Sequence, residues 1–114
     1  MTRFVVLYRA PQDVAERFAQ ATPEEAQAGL ARWVEWAERL GPALLDPGQP
    51  LGNALRVTPS GVTSSDTTVI GMSILQADSR DEALGMVSGH HHLRWSDDCD
   101  ILLLEEMGVP ELQQ

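Results

Sequence analysis

The sequence contains no lysine, and its eight cationic side chains, all arginine, face seventeen aspartates and glutamates. Without lysine, Schiff-base catalysis and a lysine general base are excluded. The net charge of −9 disfavours nucleic acid and anionic membranes as partners, because both attract basic proteins. We therefore expect no nucleic-acid partner and no membrane partner.

Cysteine occurs once, at Cys99, so no disulfide can form within the chain. A single thiol is typical of a reducing compartment, which predicts a cytoplasmic protein. The apolar run over residues 4–8 is too short for a signal peptide, and nothing approaches the roughly 20 apolar residues of a membrane helix. The phosphate-binding patterns GxGxxG and GxxxxGK are missing too, and we expect no cofactor.

What the sequence does contain is ordinary globular composition, with 43% hydrophobic and 22% charged residues in 114. This composition excludes wholesale disorder, and the length suits a single core. We predict one domain over residues 1–107, followed by a polar tail over residues 108–114.

Hydrophobic periodicity and turn residues divide the chain into alternating strands and helices. In chain order, the patterns predict a strand at 3–9, helical turns at 13–20, a helix at 23–40, a broken strand at 43–58, a polar turn at 59–66, a strand at 67–77, a helix at 80–88, a connection at 90–98 and a strand at 100–107. The strand at 67–77 is expected to form a hairpin with the broken strand through the polar turn.

The helix at 23–40 carries the clearest signals. Thr22, Pro23 and Glu25 form a capping box with a favourable proline, and Gly41 with Pro42 ends the helix. One apolar stripe is expected to face the core, and its members are Ala26, Leu30, Trp33, Val34, Ala37 and Leu40. Glu35 and Arg39, four residues apart, are expected to form a surface ion pair.

The order β-α-β-β-α-β predicts an α+β fold, a ferredoxin-like sandwich with a four-stranded antiparallel sheet and two helices on one face. The first and last strands are apolar on both faces, so the face without helices would expose a large apolar patch. Such patches usually mark association sites. We therefore expect a homodimer of the dimeric α/β barrel type, burying about 800 Å² per subunit.

Five segments resemble the YCII-related family, in the branch with a His-Pro-His-Leu turn after the second helix. They are FVVLYRAP, ATPEEAQAGLARWVEWAERLG, ALLDPGQPLG, IGMSILQADSRDEAL and H-x-H-L at 90–93. The resemblance spans roughly residues 3–107. It implies a ferredoxin-like dimer, often with a pocket near the dimer axis, and some relatives use a His–Asp pair for acid–base chemistry on small molecules.

The chain departs from that family pattern in three places. Relatives with the pair carry its histidine near residues 30–33, where this chain has none. The Asp-Gly-Pro-Phe signature of a sister branch is replaced by the sequence at 65–68, and His91 stands where the nearest branch has proline. The family's acid–base pair is therefore not carried over to this chain.

Three consecutive histidines are the main candidates for chemistry of the chain's own. In an extended segment His90 and His92 would point to one side and could serve as acid and base, with Asp66 in the preceding hairpin turn as a further base. Two histidines with a nearby carboxylate would also suit zinc or iron. The alternative is that the three histidines only follow the end of a helix and have a structural role. Asp66 would then be a turn residue that bonds to nearby backbone. No metal site is expected, because metal-ligand spacing occurs nowhere else.

Four further residues are candidate ligand contacts. Tyr8 and Arg9 end the first strand, where Arg9 could clamp a carboxylate or form a structural ion pair. Trp36, at the edge of the helix stripe, and Trp95, after the histidines, could line a pocket or pack in the core. Cys99 lies among aspartates, which would raise the pKa of its thiol, and is expected to be structural.

Two functions remain open at this stage. One is a small dimeric YCII-like domain that binds a small organic ligand without catalysis. The other is a small-molecule acid–base enzyme, of lyase or hydrolase type, that uses histidine and aspartate in a pocket near the dimer interface.

Overall fold

The computed structural model describes residues 1–108, so most of the predicted tail at 108–114 lies outside the described residues. The elements are β1 Thr2–Arg9, α1 Gln12–Ala19, α2 Pro23–Leu40, β2 Leu44–Pro50, β3 Leu55–Thr58, β4 Gly61–Ser64, β5 Val69–Ala77, α3 Arg80–Val87 and β6 Asp100–Glu105. Short 3-10 turns follow α2 and α3, at Gly41–Ala43 and His91–Arg94.

The main sheet has four antiparallel strands in the order β2-β5-β1-β6. This is the strand order of a ferredoxin-like sandwich, with β1 and β5 in the centre. The predicted α+β fold class is therefore confirmed. The capping box of α2 is also confirmed, since the amide of Glu25 donates to Thr22 Oγ1 at 3.1 Å.

The predicted pairing of one broken strand with β5 is only half right. β2 does pair with β5, but the chain then leaves the sheet, and β3 and β4 form a separate two-stranded hairpin. The reversal occurs at Pro59 and Ser60, between the paired residues Thr58 and Gly61. The polar segment at 59–66 therefore contains a strand, because proline sets a tight two-residue turn rather than a long loop.

Gly48 explains how β2 follows β5 despite its irregular register. Its φ is +79°, and a Cβ at this position would lie 1.5 Å from the carbonyl oxygen of Met72. Only glycine allows so close an approach of two backbones in this conformation. The Pro/Gly-rich bend predicted from the sequence is thus a bulged edge strand.

The core lies between one face of the sheet and the helices. Its buried apolar members are Phe4, Val6, Tyr8, Trp36, Leu75, Ala77, Ala83 and Val87. The predicted stripe on α2 was half right. Trp33 and Leu40 pack against the core, but Leu30 and Val34 are 62% and 45% exposed, and Trp36 at the edge of the stripe is 3% exposed. Trp36 also donates from Nε1 to the carbonyl of Met86, at 2.8 Å, which fixes α2 against α3.

Within residues 1–108, the core and the helix residues in it lie on one face of the sheet, and the opposite face is largely apolar. Register places six apolar side chains there, and they are Val5, Leu7, Met72, Ile74, Leu102 and Leu104. The molecule measures 46 × 44 × 21 Å with a radius of gyration of 15.8 Å, against about 13 Å for a compact chain of this length. The monomer is thus thin and wide, with an apolar face open to solvent.

Candidate functional site

Six aromatic rings gather where the turn after α3 meets β1 and α2, and we call them the histidine–aromatic cluster. Its members are Tyr8, Trp33, Trp36, His90, His91 and His92. The ring of His90 is central, with centroids 4.6 Å from Trp36, 4.9 Å from Tyr8 and 5.0 Å from Trp33. The three consecutive histidines therefore lie among aromatic rings rather than in solvent.

His92 acts as a structural anchor within this cluster. Its Nε2 lies 2.8 Å from the carbonyl oxygen of Arg9 and 3.1 Å from that of Asp100. Both partners are acceptors, so Nε2 carries the proton and donates to the end of β1 and the start of β6. A residue that is 5% exposed and bonded in this way holds the turn onto the sheet.

His90 is almost wholly enclosed, with 1% of its surface exposed. Its Nδ1 accepts a hydrogen bond from the amide of His92 at 3.1 Å, while its buried Nε2 has no hydrogen-bond partner. Burial, reinforced by the neighbouring histidines and Arg39, lowers the pKa of His90 to about 3. The ring is therefore neutral at physiological pH, with its proton on Nε2.

His91 lies at the edge of the cluster, beside an open surface. Its ring stacks on His90 with a centroid distance of 4.5 Å, and its Nδ1 is buried without a hydrogen-bond partner. Burial, followed by electrostatic interaction with His92 and with Arg32, lowers the pKa of His91. This imidazole is thus a neutral group with an unused polar atom at the edge of the cluster.

Two adjoining grooves open beside His91, between α2 and the turn. The first has a volume of about 370 Å³ and is lined by Arg32, Glu35, Trp36, Arg39, Gly89, His91 and Arg94. The second has about 180 Å³ and is lined by Glu25, Ala28, Gly29, Arg32, His91 and Trp95. Arg32 and His91 line both, and we call the two grooves together the His91 groove.

The His91 groove is positively charged although the protein is strongly acidic. Arg32, Arg39 and Arg94 line its larger part, and within residues 1–108 none of them forms an ion pair or a side-chain hydrogen bond. Glu35 is the one carboxylate there, and the ion pair expected between Glu35 and Arg39 does not form within 4 Å. Three guanidinium groups are thus left open to a ligand.

Of the predicted ligand contacts, the two tryptophans border this groove. Trp36 forms a wall of the larger part, and Trp95, 37% exposed, lines the smaller part. Tyr8 is buried behind them, and its hydroxyl is 2.8 Å from Ser73 Oγ. Burial raises the pKa of Tyr8 to about 12, so its phenol stays protonated.

Arg9 is held by Asp100 in a two-pronged ion pair, with Nε 2.8 Å from Oδ1 and Nη2 2.7 Å from Oδ2. The guanidinium keeps the pKa of the Asp100 carboxyl below its usual range. This geometry is the structural ion pair that the sequence left open as the alternative to a substrate clamp. Arg9 does not line the His91 groove.

Asp66 is exposed in the segment between β4 and β5. Within the described part of the chain it makes no side-chain hydrogen bond or ion pair with any histidine. Residues 1–108 also contain no group of three or more histidine, cysteine or acidic side chains that could hold a metal ion. The structure therefore does not bring Asp66 together with His90 and His92.

Cys99 is 7% exposed, next to α1 and β1. Burial, with the nearby carboxylates of Asp100 and Asp98, raises the pKa of its thiol. A thiol of this kind is not an activated nucleophile.

His91 and the three arginines are the groove residues that sequence reasoning missed. Arg32, Glu35, Trp36 and Arg39 recur at spacings of three and four, which places them on one face of α2. From that spacing the sequence predicts only the surface ion pair of Glu35 with Arg39, because nothing in the sequence indicates that the histidine turn lies against this face.

Comparison with known proteins supports the fold. No family model matches the chain, and no curated protein sequence matches it. Among solved structures it is similar to 5-chloro-2-hydroxyhydroquinone dehydrochlorinase from Burkholderia phenoliruptrix AC1100, determined in complex with 2,5-dihydroxybenzoquinone. The TM-score is 0.53 and the sequence identity is 16%, over 96% of this chain and 94% of that one. At this identity the likeness establishes a shared fold.

Within residues 1–108, no helix is both long and apolar enough to cross a membrane.

Proposed function

We propose that this chain is a YCII-like domain, over residues 1–107, that binds a small organic molecule in the His91 groove. The observation that carries the proposal is the groove itself, where three unpaired guanidinium groups, an indole and the imidazole of His91 converge. Small-molecule sites combine apolar walls with a few convergent polar groups in this way. The motif resemblance and the shared fold with a dehydrochlorinase agree with a small ligand, and the single buried thiol is consistent with a cytoplasmic setting.

A second candidate function is acid–base catalysis on that ligand, and one observation favours it. His91 lines the groove, and its imidazole is neutral because its pKa is lowered. A neutral imidazole at a groove can accept a proton from a bound molecule, a contribution typically worth about 10²–10⁴ in rate. In this second candidate function, His91 takes the acid–base role that the sequence suggested for His90. His92 still holds the turn onto the sheet.

Blocking the groove tests ligand binding without altering charge. The purified protein is incubated with a metabolite extract, separated from free compounds by ultrafiltration, and its retained compounds are identified by mass spectrometry. Gly89 lines the groove and has open space around its α-carbon, so Gly89→Trp fills the site. We expect the wild type to retain a compound that Gly89→Trp loses.

The matched control is Gly85→Trp, which adds the same side chain in α3 at a position that also has open space but does not line the groove. Gly85→Trp should retain the compound as the wild type does. Retention that is equal in both variants, or absent from the wild type, overturns the proposed function.

We further propose that the protein is a homodimer through the open face of the sheet. Leu7 lies at the centre of that face, opposite Met72 on β5 and Leu102 on β6. Leu102 and Leu104 are 37% and 46% exposed on it. Covering such a face with a second copy removes apolar surface from water at about 25 cal/mol per Å², and about 800 Å² per subunit is typical of a stable interface.

A charge at the centre of this face should separate the subunits. We expect the wild type to have twice the 12.5 kDa mass of one chain in light scattering, and Leu7→Glu to have the mass of one chain, because a buried unpaired carboxylate is costly. Circular dichroism shows whether the variant still folds. Leu30→Glu, on the helix side at a position 62% exposed, should remain dimeric. A monomeric wild type contradicts the prediction.

A further inference from the structure

We propose that the ligand of the His91 groove is a compact organic dianion, bound through its carboxylate or phosphate oxygens by Arg32, Arg39 and Arg94. This inference rests on the proposed function and adds the chemical class of the ligand. It starts from the distribution of charge, because three of the chain's eight arginines line one groove of a protein whose net charge is −9.

Three arginines on the main sheet and on α3 are ion-paired, whereas the groove arginines, like Arg17 and Arg56, form no ion pair within residues 1–108. Arg3, Arg9 and Arg80 pair with Glu106, Asp100 and Glu105. The groove arginines form no such pair within the described residues, although the protein has twice as many carboxylates as arginines. Unpaired guanidinium groups in a concave site are suited to oxyanions, which they bind with two parallel hydrogen bonds.

The number of charges indicates a dianion. Three arginines and Glu35 leave the larger part of the groove with two net positive charges, and Glu25 lines only the smaller part. A ligand with two negative charges would neutralise the larger part, whereas a neutral ligand would leave its positive charge unbalanced. The volume of about 370 Å³ is near the lower end for small-molecule sites, which limits the ligand to a compact compound.

The neutral wall of the groove explains why the ligand is expected to be organic. Trp36 supplies an apolar surface beside the arginines. The imidazole of His91, which lines both grooves, is neutral because its pKa is lowered. A carbon skeleton between the charged groups of the ligand would pack against this neutral surface.

The test is isothermal titration calorimetry with three probes, which are succinate, inorganic phosphate and the uncharged succinamide. We expect saturable binding of at least one charged probe and none of succinamide, and the stronger of the two identifies the oxyanion. Arg39→Gln should weaken binding about tenfold or more, as expected for a charge-assisted hydrogen bond. Added salt should also weaken it, because the groove is open to solvent.

Arg56→Gln is the matched control, since Arg56 is exposed on the β3–β4 hairpin and outside the groove. It changes the net charge equally and should leave the affinity unchanged. Equal loss in Arg39→Gln and Arg56→Gln, or no binding of either charged probe, overturns the inference. If the wild type retains a neutral compound that Gly89→Trp loses, the inference that the ligand is a dianion is wrong, whereas the proposed function stands.

Discussion

Between about pH 6.5 and pH 3, His90 is expected to lower the free energy of unfolding by up to about 1.4 kcal/mol for each unit that the pH falls. The pKa of His90 is lowered to about 3 in the folded protein, against about 6.5 in an unfolded chain. In this interval the unfolded state binds a proton that the folded state does not, so acid favours unfolding. The contribution is fully present above the unfolded pKa and is lost as the pH falls.

His90→Phe separates this effect from the titration of the carboxylates. Phenylalanine keeps a ring among Trp33, Trp36 and Tyr8 but cannot be protonated. It also removes the acceptor for the amide of His92, which costs a constant amount at every pH. Urea unfolding at a series of pH values should therefore show a shallower acid slope for His90→Phe than for the wild type. Parallel slopes would show that burial of His90 does not suppress its protonation.

Replacing Trp36 with alanine is expected to lower the free energy of unfolding by about 3–5 kcal/mol. Trp36 is 3% exposed, packs against Trp33 and His90, and donates to the carbonyl of Met86 at 2.8 Å. Alanine would leave a large cavity between α2 and α3 and would remove the donor to Met86.

Leu30→Ala on the same helix is the control for this prediction. Leu30 is 62% exposed, so its truncation should change the free energy of unfolding by no more than about 0.5 kcal/mol. Denaturant unfolding of both variants measures the difference. Similar costs for the two substitutions would contradict the observed orientation of α2.

The helices and central strands could be predicted because their signals are local. The capping box at Thr22 and the β-branched run of β1 depend on neighbours in sequence, and the structure has both elements within one residue of their predicted bounds. The separate β3–β4 hairpin was missed because the alternation at Leu55 and Val57 is as compatible with the main sheet as with an excursion from it. Local pattern does not specify which partner strand is chosen.

The candidate site depends on contacts between distant segments, and much less of it could be predicted. His90 and His92 were identified as candidates, but His90 is buried against Trp33 and Trp36, more than fifty residues earlier, and His92 is bonded to the carbonyls of Arg9 and Asp100. In an extended segment, His90 and His92 would point to the same side and could act as acid and base. The structure instead has a 3-10 turn over His91–Arg94. In that turn the middle histidine reaches the groove, so the residue with the least support from the sequence has the most open position.

The most direct test of ligand binding at the His91 groove is nuclear magnetic resonance of the protein with nitrogen-15 in its three histidines. Titration with succinate, and separately with phosphate, should move the ring nitrogen signals of His91 saturably. The signals of His92 should move much less, because its Nε2 is held by two backbone carbonyls. Signals of His91 that stay unchanged while either probe binds the protein would contradict the account.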